Sequence, residues 1–312
     1  MNVHHIAINA DAETIDGRLS VLRRELDWYH NAGFSAVELA AHGLGVIDNG
    51  MLNEKRMKEV LGVLRDYPFQ YLVHGPNPLN LMDLEQDETE RRLFGATIEF
   101  SARVGSPLMV YHAGRYLPEE QFLLRGRTQL TESEQCGMRE LEKLRLRELG
   151  DIAKRSGVVI AVENARPYLD RPYYCYGESL HELAAMLEEV DHPHVKATLD
   201  VGHAFLSSKF YRQDLLAELE VLAPHVRHVH MHDNHGRCCA SFEKRQTELA
   251  VMGRGDLHMP PGWGSVPFAD IFAKLPDYRG NVTIELRPRY REHMPAVLDT
   301  ARAFLMMEAR CA

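Results

Sequence analysis

The stretch HVRHVHMHDN, residues 225–234, sets histidines at 225, 228, 230 and 232. In a strand every second side chain points to one face. Read that way, His228, His230 and His232 form a single row, with His228 deepest, His230 near one end and His232 just beyond it. A buried row of imidazoles is costly unless each finds a partner. Whether that partner is a metal ion depends on what the rest of the chain brings to the same place.

Working outward, short apolar runs alternate with longer amphipathic ones. The run VHHIAIN (3–9) reads as a strand, and 13–33 as a helix ending at Gly33. Strands follow at FSAVELA (34–40), FQYLVHG (69–75), LMVYHAG (108–114) and VVIAVEN (158–164). Between them 51–67, 85–105 and 131–157 are helical, the last opening on a capping-box pattern from Thr131 to Glu134. The second half repeats the rhythm, with strands in HVKATLDVGH (194–203), VRHVHMH (226–232) and NVTIEL (281–286). Helices are expected at 177–190, 211–224, near 266–275 and at 294–310, and a loop of roughly thirty residues after the seventh strand. The segment 115–134 reads as an insertion-like loop.

Eight strands, each followed by a helix and each rich in Val, Ile and Leu, predict an α/β fold, a closed (β/α)8 TIM barrel. A doubly wound open sheet would want a glycine-rich phosphate turn after the first strand, and INADAETIDG has none. No linker or low-complexity segment interrupts the pattern, so residues 1–312 are expected to form one domain.

Composition narrows the partners. The chain has 312 residues, 45% hydrophobic content and a formal net charge of −9, which argues against an electrostatic grip on nucleic acid or anionic lipid. No apolar stretch resembles a signal peptide or reaches membrane-spanning length. The five cysteines, Cys136, Cys175, Cys238, Cys239 and Cys311, form no C-x-x-C pair, which suits reduced thiols in a cytoplasmic compartment. The sequence stays compatible with a homo-oligomer.

Metal-capable residues fall at the predicted strand ends. His74 ends the third strand, His112 the fourth, Glu163 the fifth and Asp200 the sixth, with His203 one turn on. His230 lies near the end of the seventh and Glu285 ends the eighth. In a parallel barrel these ends meet at one mouth, where active sites are built. One such residue alone is more often a cap or a hydrogen-bonded core group. Several carboxylates and imidazoles converging without a cation would strain the fold, because close like charges cannot all stay ionised. In the long loop, GRGDLHMPPGWG (253–264) adds Asp256 and His258, a D-x-H pair whose side chains share a side if the segment is extended. His230 is the expected ligand of its row, His228 a satisfied core histidine, and His232 either a support for a ligand or a substrate contact.

Nine candidates exceed the four to six that one ion accepts, so they imply one to three ions with supporting residues. The nitrogen/oxygen mixture, with no thiolate, suits a divalent metal such as Zn, Mn, Co or Fe(II), Zn or Mn first, and is too rich in histidine for Mg or Ca.

VEN, LDVGH, HVHMHDN…DLHMPPGWG and VTIEL, in that order over nearly the whole chain, resemble the xylose-isomerase-like TIM-barrel superfamily. That group includes sugar-phosphate isomerases and epimerases, ketose 3-epimerases, inosose dehydratases and endonuclease IV. The resemblance implies a metal held by Glu163, Asp200, His230 and Glu285. It also implies proton exchange by the residues matching Glu163 and Glu285, and a substrate or second-metal contact at His203. All nine candidates also match the trinuclear zinc ligands of endonuclease IV. Against that branch, the opening VHHIAINADAETIDG lacks its glycine-rich GAHVS-x-x-GG segment, and HDN and DVGH stand where it has LNDSK and DTCH.

The expected activity is an isomerase or epimerase acting on a sugar, polyol or sugar phosphate, with Glu163 and Glu285 on opposite faces of a substrate carbon. Arg287 could bind a phosphate or hydroxyl, and Trp263 and Tyr111 could stack on a sugar face, although packing is the commoner fate of such rings. The alternatives are a zinc phosphodiesterase of the AP endonuclease kind and a non-catalytic metal-bearing binding barrel.

Overall fold

The computed structural model describes residues 1–83, 85–122, 130–243 and 245–306. Eight parallel strands close into a barrel. They are β1 (Asn2–Ala10), β2 (Ala36–Ala40), β3 (Gln70–His74) and β4 (Leu108–His112). The second half supplies β5 (Val159–Glu163), β6 (Val195–Asp200), β7 (Val226–Met231) and β8 (Arg279–Ile284). Each pairs with the next, and β8 closes on β1 with Ile284 opposite Ile8. Strands such as β5 are apolar along most of their length because the barrel interior covers one face and helices the other. The helix Glu132–Arg155 shows the expected capping box, Thr131 and Glu134 bonding each other's backbone N–H, and buries Leu146, Leu149 and Ala153.

Four segments depart from the sequence reading. The first helix is two, Ala12–Ile15 and Leu19–Ala32, because Asp16 and Gly17 turn left-handed at φ 44° and 69°. The segment before the second helix is a small hairpin, Ile47–Asp48 against Met51–Leu52, turned by Asn49-Gly50 with both φ positive. The strand at 194–203 stops at Asp200, whose carboxylate caps a helix, Val201–Tyr211, by accepting from His203 N at 2.7 Å. That helix carries no amphipathic period because Val201 to Ser208 are all buried. The long loop also holds a helix, Gln246–Met252.

Of the insertion-like segment, Glu119–Gln121 form a 3-10 turn, while 123–129 lie outside the described residues, as do 307–310 of the last helix and Cys311. Among the described residues no helix is long and apolar enough to cross a membrane.

Parallel register brings the strand ends level. His112 sits opposite Glu163 and Asp200 opposite His230. On the other side of β7, Thr283 is opposite His230 and Asn281 opposite His228.

Candidate metal centre at the barrel mouth

The deepest polar layer joins β2, β7 and β8. Glu38, 2% exposed, has Oε2 at 2.7 Å from His228 Nε2 and accepts from Thr283 Oγ1 at 2.6 Å. Its Oε1 lies 3.0 Å from His230 Nε2. His228 is thus a core histidine as expected, but only half satisfied, since Nδ1 has no hydrogen-bond partner among the described residues.

One level up, the other nitrogen of His230 faces the carboxylates. Nδ1 lies 3.3 Å from Glu163 Oε1, 3.4 Å from Glu285 Oε1 and 4.0 Å from Asp200 Oδ2. Glu163 and Glu285 therefore flank one atom, although they come from strands that are not neighbours. Glu163 Oε2 is 3.3 Å from Nε2 of both His74 and His112. Asn164, next in the chain, fixes Asp200 by exchanging two bonds with its backbone, at 2.8 and 3.0 Å.

A second group sits beside the first. His203 Nε2 is 3.2 Å from Asp256 Oδ2, and His258 Nε2 is 2.9 Å from the same oxygen. His232 Nε2 lies 3.0 Å from Asp200 Oδ1 and 3.6 Å from Asp256 Oδ1, and its ring stacks on His258 at 4.1 Å. A Cβ on Gly202 would lie 2.1 Å from the His232 ring, so the glycine of DVGH is what admits that imidazole. Asp256 and His258 do converge, but not as an extended pair, because His258 is left-handed at φ 44°. Asp233 holds this loop by accepting from the backbone N–H of Asn234, Gly262, Gly264 and Val266 at 2.8–3.0 Å. Arg166 also reaches Asp256, with Nε 3.3 Å from the same Oδ2.

These donors fit a divalent cation. Candidate ligand atoms lie within 4.8 Å of one another in five overlapping sets, among them His74–His112–Glu163, Glu163–Asp200–His203 and Asp200–His232–Glu285. The others are Glu38–His74–His230–Glu285 and His203–His232–Asp256–His258. Glu163 Oε2 and Asp256 Oδ1 are buried and have no hydrogen-bond partner among the described residues. An orphaned carboxylate oxygen facing imidazole nitrogens is what an ion would satisfy.

The electrostatics follow from burial and from neighbours. Burial would raise Glu163, but His230 and His112 outweigh it and hold the carboxyl well below the usual range. Burial prevails at Glu285, against the pull of His230, and pushes it up to about 7. At His203 burial is outweighed by Asp200 and Asp256, raising the imidazole to about 10, whereas burial lowers His258 to about 3.

All nine sequence candidates reach the mouth. A cavity of about 520 Å³ opens beside the first group, with Glu38, His74, Glu285 and Arg287 in its wall. Its wall also carries Asp11, Glu13 and Asp16. Trp263 lies outside this lining, half-exposed and edge-on to Tyr290 and His293. Tyr111 is in the core, edge-on to Phe94. Sequence reasoning missed Glu38, whose only signal was a carboxylate inside the apolar run AVELA. It also left His232 out of the ligand set.

A family model described as a xylose isomerase-like TIM barrel matches residues 26–307. No curated protein matches the chain. Among solved structures, a D-tagatose 3-epimerase-like protein is 18% identical over 98% of this chain and 99% of that one, with a TM-score of 0.70. A 3-keto-D-glucoside 4-epimerase from E. coli is 18% identical over 96% and 99%, TM-score 0.66. D-psicose 3-epimerase from Clostridium cellulolyticum H10, solved with D-tagatose, is 15% identical over 96% and 99%, TM-score 0.67. At these identities the likeness establishes the fold.

Proposed function

The chain belongs to the xylose isomerase-like TIM barrel family, and from that premise we propose that it is a divalent-metal-dependent isomerase or epimerase acting on a sugar or polyol. The observation that carries this reading is the flanking of His230 Nδ1 by Glu163 and Glu285, two carboxylates from non-adjacent strands at a mouth beside a cavity. Three solved structures of the same fold are named as sugar epimerases or an epimerase-like protein, which agrees with it.

Glu163, Asp200, His230 and Glu285 would hold the ion, with His74, His112, His203, Asp256 and His258 as further ligands if more than one binds. When bound, Zn or Mn would supply charge stabilisation for an oxygen next to the reacting carbon. The chain's own part is proton movement. Glu163 and Glu285, approaching from different strands, would remove a proton at one face of a carbon and return it at the other. His203 and Arg287 would orient hydroxyls. Residues 1–312 would act as one domain.

A second reading, phosphodiester hydrolysis, is favoured by the extent of the ligand set, since His74–His112–Glu163 and His203–His232–Asp256–His258 give room for further ions. Against it, the cavity sets Arg287 and His74 against Asp11, Glu13, Asp16, Glu38 and Glu285. A phosphodiester entering there would meet mostly like charge.

The test pairs metal analysis of purified protein with exchange in D2O. One ion per chain, and deuterium entering a ketose next to its carbonyl, are the expected results. Glu285→Gln should abolish the exchange. Three ions, with hydrolysis of bis-p-nitrophenyl phosphate and no exchange on any ketose, would transfer the assignment to the second reading.

A further inference from the structure

The two nitrogens of His230 face different worlds. Nδ1 looks up at Glu163, Glu285 and Asp200, while Nε2 looks down at Glu38 Oε1, 3.0 Å away. We propose that Glu38 is a positioning residue for the cation site, acting through His230. It holds the ring so that Nε2–H points into the barrel and the Nδ1 lone pair points at the mouth. The inference rests on the cation-binding reading above and adds the device that orients one of its ligands.

Glu38 also lies within ligand distance of His74, His230 and Glu285, so it could be read as a ligand itself. Its contacts argue otherwise. Oε2 is committed, to His228 Nε2 at 2.7 Å and to the Thr283 hydroxyl at 2.6 Å, while Oε1 lies in ion-pair contact 3.0 Å from His230 Nε2, a buried nitrogen with no other partner among the described residues. Two hydrogen bonds, from His228 on β7 and Thr283 on β8, thus clamp one carboxylate from β2. Its clamped orientation turns the nearer oxygen toward His230. A carboxylate behind a metal-binding imidazole fixes the tautomer and ring plane and strengthens the ligand. The arrangement also accounts for His228, which has no candidate ligand role and instead steadies Glu38 from below.

The experiment is calorimetric titration of the demetallated full chain with MnCl2 and ZnCl2, for wild type, Glu38→Gln, Glu38→Leu and Thr283→Val. Expected are unchanged stoichiometries in all four. Affinity should weaken by about 10-fold in Glu38→Gln and up to about 100-fold in Glu38→Leu. Thr283→Val keeps the carboxylate but frees it, and should weaken binding a few-fold, so the test survives a Glu38→Leu chain that fails to fold. The Co(II)-loaded wild type and Glu38→Gln should show the same d–d intensity, because the ligand set is the same.

Wild-type affinity in both Glu38 variants, or loss of an ion or a changed cobalt spectrum in Glu38→Gln, would overturn the proposal. If the wild type takes up no ion, this inference and the metal-dependent reading fail together. If it binds ions but exchanges no sugar proton, only the proposed activity fails.

Discussion

Glu142 and Glu163 are both carboxylates sealed inside the protein, and they are held in opposite ways. Glu142, on the helix Glu132–Arg155, accepts from the Tyr111 hydroxyl and from Gly114 N–H, each at 2.9 Å on Oε1. Burial pushes it up to about 7, against the pull of Tyr111, Tyr176, Gly114 N–H and Arg115. Glu163 faces four imidazoles, those of His74, His112, His203 and His230, and is held well below the ordinary range. A lone buried carboxylate among neutral donors is relieved by a proton. A carboxylate among imidazoles and further carboxylates is arranged for a cation. The contrast separates a structural acid from a site.

The largest effect should come from Glu163→Gln. This carboxylate is shared by two of the candidate ligand sets, so its loss should remove bound metal and lower turnover by at least about 10³-fold. Metal analysis and the D2O exchange assay check both. A variant that keeps its metal and its exchange would show Glu163 to be a second Glu142, buried for packing alone.

Much of this contrast was legible in the sequence. His74, His112, Glu163, Asp200 and Glu285 end apolar runs, and parallel strands must bring such ends together. Glu38 was hidden because it lies inside its strand rather than at the end, and nothing local distinguishes a buried, hydrogen-bonded carboxylate from an exposed one. The helix after Asp200 was hidden because burial on all sides erased its period. His258 does meet Asp256, but not through the extended pair that the D-x-H spacing suggested. The approach of Asp256 to it depends on a left-handed residue and on the four N–H bonds to Asp233, neither of which a D-x-H spacing encodes.

The second effect concerns Glu142 and pH. The folded chain holds this carboxyl near 7 while its ordinary value is 4.5. Below about pH 4.5 both states are protonated and burial carries no ionic penalty. Between 4.5 and 7 the unfolded chain releases a proton that the folded chain keeps, so stability falls as pH rises, at most about 1.4 kcal/mol per pH unit. Glu142→Gln keeps a carbonyl for Tyr111 and Gly114 and removes the ionisation. Its melting temperature should exceed wild type at pH 8 and approach it at pH 4.5. An equal difference at both pH values would mean that the carboxyl titrates alike in the folded and unfolded chains.

The smallest effect, Tyr111→Phe, asks what the hydroxyl does for that carboxylate. Its oxygen donates to Glu142 and accepts from Leu81 N–H at 2.9 Å. Loss of the acceptor acts at every pH and should cost about 1 kcal/mol. Loss of the donor weighs most on the ionised carboxyl, whose hydrogen bonds are the stronger, so it should push Glu142 above 7 and widen the deficit against wild type as pH climbs from 5 to 8. In a Glu142→Gln background that widening should vanish while the constant part remains. Thermal melts of the four chains at the two pH values resolve both parts. A deficit that is flat with pH in the single variant would mean that the hydroxyl does not discriminate between the two forms of Glu142. Burial alone would then set how that carboxylate differs from Glu163.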